Sequence, residues 1–478
     1  MFRTQAEPVS AWEAALPAEL LRLPEELARV DVLLDDPVFF APFAPFFDPR
    51  IGRPSTPMET YLRLMFLKFR YRLGYESLCR EVADSISWRR FCRIRLDGQV
   101  PHPTTLMKLT NRCGPVAVDA CNEALLAKAA EAKLLRCARL RADTTVVPAN
   151  VAYPTDSGLL AKSVRRIAAS GRRIRAAGGA IRTRCRDRSR AAGSRAHAIA
   201  AKLRLRSAAG REETQATVRR ITGELADLAE RAAADAERLL TNARRALRRA
   251  RAKTADLAAG DRNAAAGRRR GRLQRAVDDL TNLLTATRAI AAQTRQRLAG
   301  ITPDGATRRV SLHDPAARPI AKGRLDRPVE FGYKGQVLDN IDGVVLDHTV
   351  DAGNPPDAPQ LAPAVARVIA RTGRRPRAVA ADRGYGEARV ENDLHDLGVR
   401  DVVIPRKGKP GQARQVAEHR PAFRKIVKWR TGCEGRISSL KRGYGWDRTR
   451  LDGLEGARIW TGQAVLAHNL VKIATLAG

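Results

Sequence analysis

From Leu159 to Leu298 the chain is built largely from alanine and arginine with few aromatic residues, while segments of strand-like composition stand on either side. Alanine and arginine favour helix, and a stretch so poor in large apolar groups cannot supply the faces of a buried sheet. The chain is therefore expected to be a sheet-bearing domain split by a long helical insertion. Within it Leu273, Val277, Leu280, Leu284, Thr287, Ala291, Thr294 and Leu298 alternate in steps of four and three, the spacing of a coiled-coil seam. Ile221, Leu225, Leu228, Ala232 and Leu239 keep the same register upstream, with Asp235 breaking it. The intervening AAGDRNAAAGRRRGR, residues 258–272, supplies a turn, so the spacing predicts an antiparallel helical hairpin. Another basic helix, from about Leu160 to Arg206 and interrupted at Gly178 and Gly179, is expected before it.

Charge narrows the partner. Thr155 to Val310 holds 37 lysines and arginines against 14 aspartates and glutamates, which is 23 of the net +36 carried by 478 residues. A solvated helix face is the plain alternative, but so one-signed an excess repels itself unless a polyanion lies near, and this favours contact with a DNA backbone. No apolar run of about 18 residues, signal peptide or lipidation motif is present, so a soluble cytoplasmic, nucleoid-associated protein is expected, with no membrane partner. The seven cysteines are scattered without a C-x-x-C pair or a histidine cluster, which points away from zinc and disulfides.

The first 50 residues end in VFFAPFAPFFDPR, where repeated proline opposes a continuous helix. RPSTPMETYLRLMFLKFRYRLG then predicts a helix, with Ser55 or Thr56 as cap, Pro57 in the first turn and Gly74 as stop. Shorter helices are expected in YESLCREVADS and PTTLMKLTNRCG, and another from Pro115 to Ala132. Basic faces on the first three helices suggest a helix-turn-helix-like module, in which Thr104, Thr105, Lys108 and Arg112 would contact DNA; a helical domain that only packs on its neighbour fits equally.

LLRCARLRADTTVVP predicts a strand carrying Asp143, an anion that is costly to bury without a metal or a hydrogen-bonded loop. Beyond a loop with Pro303, Pro315 and Pro319, PVEFGYKGQVLD and VVLDHTV predict a hairpin turned by NIDG. PPDAPQLAPAVARVIARTG predicts a helix ended by Gly373. RAVAAD is a buried strand reaching Asp382, followed by a GYG loop, then the helix EARVENDLHDLG, the strand RDVVIP and a basic loop with Lys407 and Lys409. WRTGCEGRISSLKRGYGW, read as a helix, puts Arg430, Glu434 and Lys441 on one face. A carboxylate between two cations suits phosphate chemistry, because it can hold a divalent metal while the cations bind phosphate oxygens. GARIWTGQAVLAHNLVKIATL predicts a closing helix packed on the sheet.

This order of elements is that of a ribonuclease-H-like α/β core, in which the first strand lies centrally beside the fourth. Asp143 and Asp382 would then meet at the sheet's ligand-binding edge, with Glu434 brought in from a later helix. Converging carboxylates need cations, and two magnesium ions about 4 Å apart, for which manganese may substitute, serve in-line phosphoryl displacement. Asp156, Asp351 and Asp357 lie in loops that suit turn or helix caps. Asp393, Asp396 and Asp447 look like solvated charges, and His348 and His395 structural residues. Tyr385 follows Asp382 closely enough to touch substrate or to pack.

On these residues the chain resembles bacterial insertion-sequence transposases of the DDE superfamily, above all the branch with a Y-x2-R-x3-E-x6-K signature. Arg430, Glu434 and Lys441 match that spacing, but the tyrosine position is Val427. RADTTVVPANVAYPTDSGLL and AADRGYG resemble the first and second acidic motifs, and RPSTPMETYLRLMFLKFRYRLGYESL the helical N-terminal domain. Several relatives carry their insertion later and as β structure. The resemblance implies that Asp143, Asp382 and Glu434 bind the catalytic metals, that Arg430 and Lys441 position phosphates, and that water cuts the strand before the freed 3′-hydroxyl attacks target DNA. It implies double-stranded DNA partners, the terminal inverted repeats and the target, engaged by a homodimer or larger assembly. The expected domains are a helical DNA-binding domain at 1–134, a catalytic core at 135–158 and 303–478, and the insertion at 159–302. A catalytically silent DNA-binding protein and an RNase-H-like nuclease without strand transfer stay open.

Overall fold

The computed structural model describes residues 1–8, 13, 15–204, 211–255, 262–321 and 328–478. Two compact units emerge, one of Met1–Asn150 with Gly332–Gly478 and one of Val151–Phe331. After a single helical turn at Ala18–Leu21, the first unit runs in chain order through α1 (Glu25–Leu34), α2 (Met58–Arg70), α3 (Tyr75–Asp84), α4 (Ile86–Phe91), α5 (Pro103–Glu131) and β1 (Arg139–Pro148). The second holds α6 (Asp156–Ala176), α7 (Ser189–Arg204), α8 (Arg211–Ala255), α9 (Arg262–Leu298) and a short β2 (Arg318–Ala321). The chain returns through β3 (Val329–Asp339) to β4 (Val345–Ala352), α10 (Ala358–Thr372), β5 (Ala378–Ala380), α11 (Ala388–Asp396) and β6 (Asp401–Val403). It closes with α12 (Gln412–His419), α13 (Pro421–Arg430), α14 (Gly432–Tyr444) and α15 (Gly453–Ala477). Five of these elements are absent, wholly or for most of their length, from the sequence expectation: α1, α4 and most of α13, together with β2, which occupies part of the proline loop, and α12, in what reads as the exit from the basic loop. Pro319 is tolerated because a short strand has few ladder bonds to lose.

β3 runs antiparallel to β1 on one side and β4 on the other, while β1, β5 and β6 are parallel neighbours, so the first unit's sheet reads β4-β3-β1-β5-β6. β1 is central, and its nearly continuous burial from Leu140 to Val147 is that of a strand covered on both faces. Arg141 lies opposite Ala380 in the parallel pair. Two residues further along each chain come Asp143 and Asp382, at the same end of the sheet.

The helices of this unit differ from expectation in one instructive way. α2, predicted to show a basic face, is buried along nearly its whole length. Arg63 turns inward and donates to Asp31 Oδ1 at 2.8 Å and Asp35 Oδ1 at 2.5 Å. Lys68 lies over the rings of Trp460, Phe69 and Tyr75 at 4.1, 4.4 and 4.8 Å. Buried cations need such partners, and their presence makes a basic residue no guide to the exposed face. Neither Ser55 nor Thr56 caps α2; Pro57 holds the cap position, and Ser55 Oγ accepts from the Arg3 amide at 3.1 Å. α5 joins two predicted helices across Gly114, whose φ of 64° breaks the helical path just before Pro115. α15 packs against α1, α2 and α5 as well as β4, and it is buried almost all round from Gly456 to Leu470. The N-terminal helices and the sheet thus share one core.

In the second unit the predicted seam is buried from Leu273 to Thr294, with Leu298 half-buried. The Thr287 and Thr294 hydroxyls donate to the Leu283 and Ile290 carbonyls at 2.7 Å, which satisfies their polarity inside the helix. Arg295 pairs with Glu230, Arg288 with Glu237, and Arg251 with Gln274, so α8 and α9 run antiparallel. The turn predicted at 258–272 is shorter than expected: residues 262–272 already belong to α9, and what joins the two helices lies on residues 256–261, outside the described residues. The hairpin is not alone: Leu160, Val164, Ile167 and Ile174 of α6 and Ala192 and Ile199 of α7 enter the same core, making a bundle. Asp235, which breaks the seam, accepts from Arg188 and from Arg238. The predicted interruption falls between α6 and α7, where Gly178 has a φ of 81°.

Among the described residues no helix is long and apolar enough to cross a membrane. Removing one partner of a buried ion pair leaves the other stranded at a cost of about 3 kcal/mol or more. Arg63→Ala should lower the unfolding free energy by about that amount in a urea titration, and a loss below about 1 kcal/mol would contradict the inward-facing role of this side chain.

Candidate active site

The site begins with Arg141, which faces Asp339 across the antiparallel β1–β3 pair. Its guanidinium forks onto that carboxylate, Nε to Oδ1 at 2.7 Å and NH2 to Oδ2 at 2.9 Å, and Asp339 is wholly buried. The remaining donor, NH1, reaches the Trp429 carbonyl at 3.0 Å, and the group lies 4.8 Å from the Trp429 ring centre. One side chain therefore fastens two central strands to the end of α13. The next helix starts so close that a Cβ on Gly432 would stand 2.1 Å from Arg141 NH1. Glycine is needed here for closeness of approach, because the guanidinium is held on three sides and cannot swing clear.

α13 and α14 meet at Thr431, so the single helix expected from Trp429 to Trp446 is divided. Thr431 keeps helical angles, φ −56° and ψ −20°. The four-residue spacing survives, and Arg430 NH2 donates to Glu434 Oε1 at 2.9 Å. Arg430 NH1 also donates to Asp143 Oδ2 at 3.2 Å. Lys441 lies further along α14, half-buried, and Val427 is half-buried on α13.

Asp143 is buried, and its Oδ1 accepts from the Thr144 amide at 2.8 Å. Burial pushes its carboxyl up to about 6; Arg430 pulls the other way, while the charges of Asp382 and Glu434 push further up. Asp382 follows β5, and its Oδ1 accepts from the Gly384 amide at 2.8 Å, folding the tight turn Arg383–Tyr385. Burial raises this carboxyl too, and Asp357 adds to the rise. The turn is clamped by Gly386, where a Cβ would stand 2.0 Å from the Pro405 carbonyl oxygen. Glu434 is mostly exposed. Asp143 thus feels the charges of both other sequence-proposed carboxylates, and Arg430 is bonded to Asp143 and Glu434. Among the described residues no three acidic, histidine or cysteine side chains stand as a metal cage. Arg430 supplies the local positive charge instead. The donor set, carboxylate oxygens with negative charge in excess, is nevertheless of the kind that hard divalent cations prefer.

Other residues sort clearly. Tyr385 is buried, and its hydroxyl accepts from Gln336 Nε2 at 3.0 Å, so it packs beneath the turn. Asp357, read from the sequence as a cap, makes no capping bond; its carboxylate pairs with Lys334 Nζ at 2.6 Å. Asp156 accepts from Gln293 at 2.9 Å, and Asp351 and Asp393 stand 3.8 Å from Arg458 and Arg389. Asp447 pairs with Arg72 at 2.6 Å. His348 is half-buried, and loss of water around its ring presses it down to about 4, while His395 Nδ1 lies 2.9 Å from the Val399 carbonyl. Thr104, Thr105, Lys108 and Arg112 are exposed on the first half of α5, with the Arg112 guanidinium 4.4 Å from the Phe47 ring centre. Lys108 and Arg112 line a groove of about 1260 Å³ with Arg53 and Arg80. Arg141, Lys334 and Asp357 are missing from the sequence-derived set. A signal existed for Arg141, which lies two residues before Asp143 and so on the same strand face.

The chain is therefore a mixed α/β protein whose parallel strands end in a cluster of acidic groups. Residues 17–112 match a transposase domain (DUF772), and residues 304–470 match a transposase DDE domain. Together these matches support a DDE transposase. The DDE match spans Asp382 and Glu434; Asp143 lies before it, across the helical insertion. A Rhizobium meliloti relative, described as uncharacterized protein ORF8 in the nfe locus, is 27% identical over 130 residues, or 26% of this chain. The chain spans 62% of that relative's length. No solved structure matches.

A carboxyl raised by folding is protonated in the native chain where the unfolded chain has already ionised. The native state then binds more protons, and stability falls as pH rises from about 4 to about 6. Asp382 acts in the same direction. On going from about pH 4.5 to about pH 7 in metal-free buffer, the urea midpoint should shift towards greater stability in Asp143→Asn relative to the parent, because the variant lacks this loss; an identical shift in both would contradict the burial assigned to this carboxyl.

Proposed function

We propose that the chain is a DNA transposase that cuts at the ends of an insertion sequence and joins the freed 3′-hydroxyl to target DNA. Asp143, Asp382 and Glu434 are its catalytic carboxylates. The observation that carries this reading is Arg430, one guanidinium bonded to Asp143 and Glu434 and felt by Asp382. Gripping DNA requires no such gathering of anions, which argues against a silent binder. The strand order, with β1 central and parallel to β5, supports a ribonuclease-H-like core. On this reading 1–134 is the DNA-binding domain, 135–158 with 303–478 the core, and 159–302 the insertion.

The carboxylates would hold two Mg2+ ions, or Mn2+ in their place. Such ions supply activation of the attacking oxygen and stabilisation of the leaving one. The protein's own contribution is positional. Arg430 can pass from carboxylate to phosphate, since both accept the same fork of donors. Lys441 provides a second cation on α14. Asp382 is fixed by its turn, with the buried Tyr385–Gln336 bond beneath it. Thr104, Lys108 and Arg112, with the basic helical unit, grip the backbone of terminal repeats and target, in a homodimer or larger assembly on the nucleoid.

Purified protein with Mg2+ should cleave DNA bearing the element's terminal repeats and join its 3′ ends to a target. Asp382→Ala should abolish both steps, and Asp393→Ala, a surface control, neither. Strand transfer that persists in Asp382→Ala refutes the site; cleavage without joining by the parent protein favours the nuclease, and binding without cleavage the silent binder. Raising salt from about 50 to about 200 mM should weaken DNA binding by about a thousandfold or more, because many phosphate contacts release counterions. A flat salt dependence would contradict the backbone-gripping role of the basic helices.

A further inference from the structure

Asp357 is a fourth carboxylate beside the centre. It heads α10 without capping it, because its side chain turns towards the sheet. Oδ1 pairs with Lys334 Nζ at 2.6 Å, and the same ammonium donates to the Pro355 carbonyl at 2.5 Å, so Lys334 ties the start of α10 to β3. Both partners are largely buried, with 11% of the Lys334 side chain and 21% of the Asp357 side chain exposed. The other oxygen, Oδ2, points at the Asp382 turn. The position a Cβ of Gly384 would take lies 3.0 Å from Asp357 Oδ2 and 2.9 Å from Asp382 Oδ1. The two carboxylates therefore approach one another over a bare glycine. Gly384 is needed there, since a side chain would push between them.

Lys334 neutralises the far side of Asp357 and leaves the near oxygen facing Asp382. An anion held at that distance acts on the centre in two ways. It repels the Asp382 carboxylate, whose Oδ1 the Gly384 amide already anchors. It also adds negative potential where a cation would sit, and in a partly buried site such a charge is felt strongly.

We propose that Asp357, pinned by Lys334, is a positioning residue that sets the divalent-cation affinity of the Asp143–Asp382–Glu434 centre. The inference rests on the metal-dependent reading above. It adds a residue that neither touches the reacting phosphate nor belongs to the acidic triad.

The test is calorimetric titration of the full-length protein with Mg2+ in the absence of DNA, beside the Mg2+ dependence of cleavage. Asp357→Asn keeps size and loses charge, so the half-saturating Mg2+ concentration should rise about tenfold in both measurements, with cleavage at saturating Mg2+ within about twofold of the parent. Asp357→Glu, which keeps the charge, should stay within about threefold of the parent midpoint. Melting without metal shows that each variant is folded. A parent-like midpoint in Asp357→Asn, while Asp382→Asn loses binding, overturns this inference alone. Parent-like Mg2+ binding in Asp382→Asn overturns the metal-dependent reading together with it.

Discussion

The buried fork between Arg141 and Asp339 holds the centre together. Taking both ions out of water costs several kcal/mol each, and only good geometry with every donor used can offset that. Here two parallel bonds join the charges, the third guanidinium direction meets the Trp429 carbonyl, and the indole ring covers the plane. Arg436 adds a weaker contact to Asp339 at 3.4 Å. The pair does more than join β1 to β3: it fixes where α13 ends, and hence where α14 begins. Glu434 comes to β1 because Gly432 lets α14 start against the guanidinium. At its other end α14 is held by Trp446, buried with its Nε1 on the Thr461 carbonyl, and by Trp460 Nε1 on the Gly445 carbonyl at 2.7 Å.

This frame leaves the acidic groups in an electrostatically unfinished state. Asp143 and Asp382 are both raised by burial, and each raises or is raised by neighbouring carboxylates. Arg430 relieves part of that charge, and only part. A guanidinium engaged with two carboxylates is also the group best placed to exchange them for phosphate. On the proposed reading, cations and DNA enter a site that is already folded, and the change they require is local to Arg430.

Much of this was legible in the chain. Asp143 stands in a run of β-favouring residues, Asp382 ends a short apolar strand, and Arg430 and Glu434 are spaced as helix neighbours, all local patterns that survive folding. The heptad seam was equally plain, because leucine spacing reports burial directly. Relations set by tertiary structure were not. The charges of Arg63 and Lys68 read as surface, yet their partners come from α1, α3 and α15. Asp357 has the sequence context of a cap, and only the fold shows Lys334 competing for it. α6 and α7 read as another basic helix because their apolar residues are sparse and their partners lie on α8 and α9.

The most direct test of the account is whether the three carboxylates serve one binding event. Paramagnetic resonance of Mn2+ titrated into the metal-free protein counts bound ions without DNA or turnover. Asp143→Asn, Asp382→Asn and Glu434→Gln should each weaken the same tight Mn2+ binding, and any two together should add little to the stronger single change. Tight binding that is unaffected by Glu434→Gln, or losses that add independently across the three, would contradict a shared centre.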